Sequence, residues 1–226
     1  MFLPLKDDNP TSTFPLITLG LILANGLVFY HQMSLDTVES QNFIFKWGAI
    51  PYQIHHGEVL REFPEIPLPL TIFSSMFLHG GFLHLFGNML YLWIFGNNIE
   101  DTLGHLRFLL FYLVCGLVAG LAQVFSNPES TVPMIGASGA VAGVLGAYLL
   151  LFPGARILTL FFIFIFIKFV RLPALVVLGF WFFIQLLGVW GGSISNVAFF
   201  AHVGGFIAGL ILVKIFQSGQ SKRRRR

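Results

Sequence analysis

Long apolar stretches separated by short polar joints dominate the chain. Crossing a hydrocarbon core of roughly 30 Å takes about 20 mostly apolar helical residues. Six runs approach that length: about Phe14 to Tyr30, Phe82 to Ile99, Leu106 to Phe125, Gly136 to Leu151, Leu172 to Val189 and Val197 to Phe216. The pattern predicts an all-α membrane protein, one integral domain over residues 1–226 with a basic cytoplasmic tail at 217–226. The first run lacks the basic flank and small-residue cleavage site of a secretory signal. A shorter apolar stretch, Ile157 to Ile167, is closed off by Arg156, Lys168 and Arg171, with Pro173 beyond. As a helix it would reach only about 16 Å, so it reads as a loop or interfacial segment. A seventh span there would invert everything after it.

Composition agrees with a lipid environment. Hydrophobic residues make up 56% of the chain, charged residues 10%, and the mean hydropathy is +0.81. A soluble domain carries about 25% charged residues. The single cysteine, Cys115, excludes a disulfide framework and offers no thiolate metal site. With the N-terminus in the cytoplasm, the inner side holds Lys6, Arg107, Arg156, Lys168, Arg171, Lys214 and Lys222 through Arg226. The outer side holds only Lys46 and Arg61. This asymmetry follows the positive-inside rule and places both termini in the cytoplasm. A basic tail directly after a span is read as an orientation signal, with no nucleic-acid partner. The long outer loop, about Gln32 to His79, carries Phe43, Ile44, Phe45, Trp47, Ile50 and Tyr52. Such residues favour the headgroup region, so the loop is expected half-sunk in the outer leaflet, with Pro64, Pro67 and Pro69 setting an irregular re-entry.

Polar side chains inside spans are costly and mark function by default. His84, Asn88, Ser138 and His202 stand out. Spans two, four and six run from outside to inside in the predicted topology, and these residues lie in their first turns. All four therefore share one shallow depth on the outer side. His84 and Asn88, four apart, share a helix face. Gly139, Gly143 and Ala147 on span four, and Gly204, Gly205, Ala208 and Gly209 on span six, are small residues that let membrane helices approach closely. That approach would bring Ser138 to His202.

A serine hydroxyl becomes a nucleophile beside a base, most often a neutral histidine. Ser138 at a helix start also has unpaired backbone N–H groups nearby, and with Asn88 and His84 these would cradle an oxyanion. Between residue 102 and the end the only acid is Glu129, in an outer loop. This predicts a Ser–His dyad without a third, acidic member, and it excludes an aspartyl protease. No His-Glu-x-x-His run exists, no metal site is expected and no cofactor is required. The bland readings are an N-cap serine, a histidine bonded to a carbonyl and an asparagine joining helices. Each suits one residue, and together they leave the common depth unexplained. His79 and His105 read as interfacial residues without a role.

These residues resemble the rhomboid intramembrane serine proteases over nearly the whole chain. The resemblance rests on Gly136-Ala137-Ser138-Gly139 and on Ala201-His202-Val203-Gly204-Gly205. It extends to Met76 through His84 and on to Asn88, and to Gly96, Glu100 and Leu103-Gly104 after that span. It implies a rhomboid-like bundle of six transmembrane helices with a partly embedded first outer loop and a water-filled cavity opening outward. It further implies Ser138 as nucleophile and His202 as general base. His84, Asn88, Gly136 and the Ser138 backbone N–H would form the oxyanion hole. Substrates would be membrane-spanning proteins cut near the outer end of their helix, admitted between spans two and five, with Trp181, Phe182 and Phe183 bulky enough to gate them. Two departures are visible. Pro69-Leu70-Thr71-Ile72 occupies the region of a Trp-Arg pair found in many members. Ala142 stands where some members have a tyrosine stacked on the histidine, which leaves open what orients His202. An inactive rhomboid-like binding protein would typically lack the serine or the histidine. A histidine-lined transporter would need a polar path that the inner halves of spans four and six do not offer. The expected location is a bacterial inner membrane. The natural substrate and oligomeric state are not legible.

Overall fold

Glycine and alanine set the centre of the bundle. In the computed structural model, helix α8 (Ser138–Leu151) is buried without a break from Ala140 to Tyr148. The model describes residues 2–60, 66–163, 166–191 and 197–217, with the side chains of residues 2 and 162–166 excepted. Arg61, Pro64 and the basic tail past Gln217 lie outside the described residues. Helix α10 (Phe199–Gln217) packs on α8 almost backbone to backbone. A Cβ on Gly205 would fall on the Gly139 carbonyl oxygen, one on Gly209 on the Gly143 carbonyl, and one on Gly146 on the Phe206 carbonyl. Backbone contact of this kind is what small-residue faces make possible where lipid supplies no hydrophobic drive.

The other long helices enclose that pair. They are α1 (Leu16–Ser34), α7 (His105–Ser126) and α9 (Ala174–Trp190). A further rod runs from α5 (Phe82–Tyr91) through a widened π-turn at Leu92–Gly96 into α6 (Asn97–Leu103). Among the described residues the result is a membrane helical bundle of six rods, in which α1, α7 and α10 are each long and apolar enough to cross and α8 and α9 are shorter apolar helices. Its lipid-facing positions are large and apolar: Leu23 and Leu27 on α1, Leu83 and Phe86 on α5, Ile211 and Ile215 on α10. Helix α8 has only 14 residues, a rise of about 21 Å. That falls short of a hydrocarbon core, and its first residue, Ser138, is half-buried.

One buried carboxylate joins the start of α1 to α6. Glu100, fully buried, accepts from the backbone N–H of Ile17 and Thr18 at 2.8 Å each and from the Thr18 hydroxyl at 2.7 Å. Pro15 precedes α1 and provides no side-chain cap, so Glu100 supplies from a distance what an N-cap residue would. His105 Nδ1 also bonds Glu100, which gives that half-exposed histidine a structural partner.

The loop between α1 and the second span is folded, not merely embedded. It contains α2 (Thr37–Trp47), α3 (Pro51–His56) and α4 (Thr71–Ser75). Asp36 begins α2 with a capping box completed by Glu39. A bridge pairs Ala49 with Met134, Ser74 donates to the Trp47 carbonyl at 2.6 Å, and the Gly136 N–H donates to the Ser75 carbonyl at 2.9 Å. The loop thus braces the strand of chain that leads into Ser138.

The stretch expected as a loop near Ile157–Ile167 is β-structure. Strands β2 (Arg156–Ile163) and β3 (Phe166–Pro173) form an antiparallel hairpin, and β1 (Phe2–Asp7) pairs antiparallel with β2, Asp7 opposite Ile157 and Leu3 opposite Leu160. Bulky aliphatic and aromatic residues suit a pleated surface, and the third strand comes from the far end of the sequence, where local periodicity gives no hint of it. Asp7, Pro4, Ile157 and Thr159 are buried on one face, while Lys6, Arg156 and Arg171 are exposed on the other. The Asp7 carboxylate takes hydrogen bonds from Tyr148 at 2.7 Å and Asn98 at 2.8 Å, fastening β1 to the C-terminal end of α8.

Two outcomes follow. Replacing Gly209 with Ala puts a methyl onto the Gly143 backbone and should lower stability by about 1–3 kcal/mol, read as a fall in Tm in detergent. Burial pushes the Asp7 carboxyl above its ordinary 3.8, although hydrogen bonds from Tyr148, from backbone N–H groups and from Asn98 oppose the rise. A raised folded-state value means the folded protein holds the proton more tightly than the unfolded chain. The stabilising contribution is therefore present at low pH and is lost as pH rises through the folded value. Asp7→Asn lacks this titration, so the Tm of wild type minus that of Asp7→Asn should decrease as pH is raised from about 4 toward neutrality.

Candidate functional site

Four helices and one descending loop bring their polar side chains to one end of the bundle. Ser138 opens α8, where the first-turn N–H groups have no helical partner. His202 lies in the first turn of α10. The backbone contact between Gly139 and Gly205 sets how close the two can come. His202 Nε2 is 2.8 Å from Ser138 Oγ. Both are half-buried.

Gly136 lies just before Ser138 with φ of +119°, a conformation that side chains rarely tolerate. The space a Cβ would need there is already taken: it would lie 2.6 Å from His84 Nε2 and 3.6 Å from Asn88 Nδ2. The Gly136 backbone is thus held against the polar face of α5 that carries both residues. His84 Nδ1 accepts from the Gly80 N–H at 3.3 Å, which leaves Nε2 to face Gly136. All of Ser138, His202, His84, Asn88 and Gly136 are therefore at one end of the bundle.

His79 belongs with them and is not interfacial. It is 2% exposed, its Nε2 is 3.0 Å from Asn88 Nδ2, and its ring meets that of His84 edge-on with centroids 5.0 Å apart. Its backbone is fixed by Gln32 of α1, which accepts from the His79 N–H at 3.1 Å and donates to its carbonyl at 3.3 Å. His79 and Asn88 are nine apart, with a break in the helix between them, so no helical spacing links them in the sequence.

Gln185 of α9 is the other residue that sequence reasoning leaves out. It is buried, and its Oε1 lies 2.8 Å from His202 Nδ1. The signal was present, since a lone glutamine inside an apolar helix meets the same criterion as His84 or Asn88. Around His202 the Trp181 ring lies with its centroid 5.8 Å away at 37°, and Phe199 stands edge-on at 6.5 Å and 83°. Rings from α9 and α10 thus flank His202, while Ala142 is fully buried. Of the bulky trio on α9, Trp181 and Phe182 turn inward to stack on Phe206 of α10, with centroids 6.1 and 4.3 Å apart, while Phe183 is half exposed. Among the described residues no group of three or more His, Cys, Asp or Glu side chains could hold a metal ion.

Comparison with known proteins agrees with the geometry. Residues 69–218 match the Rhomboid domain family. RHOMBOID-like protein 5 of Arabidopsis thaliana is 33% identical over 164 residues, 73% of this chain and 49% of the relative. RHOMBOID-like protein 1 of the same plant is 33% identical over 173 residues, 76% of this chain and 38% of the relative. Rhomboid protease GluP of Bacillus subtilis (strain 168) is 34% identical over 204 residues, 90% of this chain and 34% of the relative. The chain thus spans half or less of the length of these curated relatives. The matched segment covers everything from α4 to the end of α10, including each polar residue of the site on α5, α8, α9 and α10, and the chain belongs to the rhomboid family.

Proposed function

We propose that the chain is an intramembrane serine endopeptidase in which Ser138 is the nucleophile and His202 the general base. The observation that carries the reading is the 2.8 Å contact between Ser138 Oγ and His202 Nε2 at the start of α8. In the forward step Ser138 Oγ attacks the scissile carbonyl carbon, and the hydroxyl proton passes to His202 Nε2. The tetrahedral intermediate places its negative oxygen near Gly136, toward His84, Asn88 and the Ser138 N–H. His202 then returns the proton to the departing amine, leaving an acyl-serine. Water, deprotonated by His202, hydrolyses that ester and restores the free serine.

The substrates of this reading are membrane-spanning proteins. Ser138 is half-buried in a bundle whose outer positions are large and apolar, and a segment leaving its own helix near the membrane surface can reach it. The charge distribution supports a site opening to the outer side and a sheet on the inner side, where Lys6, Arg156, Lys168 and Arg171 cluster. Both termini then lie inside, in a plasma membrane of bacterial type. No cofactor takes part.

Purified protein and a generic single-span substrate test this directly. Ser138→Ala should abolish cleavage and labelling by a fluorophosphonate, and His202→Ala should slow both by on the order of 10³-fold or more. Cleavage by Ser138→Ala at the wild-type rate, or no cleavage and no labelling by wild type, would refute the protease and favour an inactive rhomboid-like binding protein. The oxyanion assignment makes a separate forecast. Asn88→Ala should reduce kcat by about 10²-fold with KM little changed, measured by steady-state kinetics; a rise in KM at constant kcat would assign Asn88 to substrate binding instead.

A further inference from the structure

We infer that Gln185 is the positioning residue that fixes the tautomer of His202, so that the imidazole meets Ser138 with a lone pair and not with a proton. The inference rests on the protease reading above and adds a member to it from a helix outside the Ser–His pair.

The chain of hydrogen bonds has only one consistent polarity. The Gln185 side-chain amide is held at both ends. Its Nε2 donates to the Trp181 carbonyl at 3.0 Å, one turn earlier on α9, and its Oε1 faces His202 Nδ1 at 2.8 Å. A carbonyl oxygen only accepts, so the amide nitrogen must be the atom facing Trp181, and the flipped amide would set oxygen against oxygen. That leaves the amide oxygen, also an acceptor only, facing His202. Nδ1 must therefore carry the proton. In a neutral imidazole the second nitrogen is then unprotonated. That nitrogen, Nε2, is the one 2.8 Å from Ser138 Oγ. A ladder from a helix carbonyl through glutamine and histidine to serine thus ends with the serine hydroxyl donating, which is the arrangement proton removal requires.

Rings complete what the amide begins. Trp181 and Phe199 lie on two sides of the imidazole. Gly188, one turn after Gln185, has no side chain to displace the Phe199 ring, against which a Cβ would lie at 2.5 Å. The ring plane is held by packing and the direction of its proton by Gln185. Glutamine differs from the carboxylate of a Ser–His–Asp arrangement in bearing no charge: it orients the imidazole and does little to stabilise the imidazolium. In a half-buried site among apolar helices, a neutral acceptor avoids the cost of an ion that has no partner. Among the described residues the titratable side chain that acts on His202 is His84, across the site on α5. Ser138 of α8 and the Gln185 amide of α9 are uncharged.

Three variants in detergent or liposomes test the assignment: Gln185→Met, close in shape but without an acceptor, Gln185→Glu, which keeps the acceptor and adds charge, and Ser138→Ala as control. Gln185→Met should lower kcat by about tenfold to a hundredfold with KM unchanged, and slow fluorophosphonate labelling in parallel. Gln185→Glu should recover part of the rate, since one oxygen still accepts from Nδ1 while the bond to the Trp181 carbonyl is lost, and the acid limb of its kcat/KM profile should move to higher pH, because a carboxylate stabilises the protonated imidazole. Wild-type kcat in Gln185→Met overturns the inference, as does a Gln185→Glu that is as slow as Gln185→Met with its acid limb unmoved. If Gln185→Met fails to fold, judged by Tm, the acid limb of Gln185→Glu against wild type decides alone: displaced supports, unmoved overturns. A wild type that neither cleaves nor labels overturns the protease reading itself. A wild type labelled at Ser138 beside an equally fast Gln185→Met overturns only the role of Gln185.

Discussion

Everything at the candidate site depends on how closely α8 and α10 approach. At Gly139–Gly205 and Gly143–Gly209 the helices touch through main-chain atoms. One methyl at either crossing would separate the axes by a substantial fraction of an ångström, and a 2.8 Å contact between Ser138 and His202 has no slack of that size. A serine hydroxyl and an imidazole on flexible side chains meet productively only when the backbones beneath them are fixed. Here the backbones are fixed by the absence of side chains. The glycines that look like helix weakeners in water are the residues that give this bundle its geometry in lipid.

Around that contact the structure spends its polar groups with economy. Polar groups near the site answer other elements: Gln32 holds the His79 backbone, His79 meets Asn88, Gln185 meets His202, and the Ser75 carbonyl accepts from the Gly136 N–H. Helix α1, the long loop, α5 and α9 therefore all influence atoms on α8 and α10 that they do not themselves supply. At the opposite end Glu100 and Asp7 do comparable work, tying α1 and β1 to α6 and α8. The two ends are linked by an apolar middle in which Phe95, Phe111, Tyr112 and Leu145 are fully buried.

Much of this was legible before any coordinates. Apolar run lengths predicted six helices, and four polar residues at matching depth pointed to one cluster, because hydropathy and intramembrane polarity are properties of single residues and short windows. What escaped depends on pairs far apart in sequence. The sheet needs β1 and β2 together, and nothing near Phe2 announces Phe161 as its partner. His79 gains meaning only once the chain has bent so that it reaches Asn88. Gln185 was visible as a polar residue in a span, but which atom it serves follows from the pairing of α9 with α10. The second span also hides a π-turn at Leu92–Gly96, which no periodicity of the sequence marks.

The strand β1 carries an implication for how the chain is made. Its partners, Phe161 opposite Phe2 and Ile157 opposite Asp7, are synthesised after four of the six helices, and Tyr148, which bonds Asp7, closes α8. Residues 2–7 meet these partners only once the hairpin has been made. Closure of the sheet is then a late, long-range event, slow by the loop entropy it must overcome. In the folded chain β1 is therefore a clasp, bonded to α8 through Tyr148 and to the hairpin through its pairing with β2.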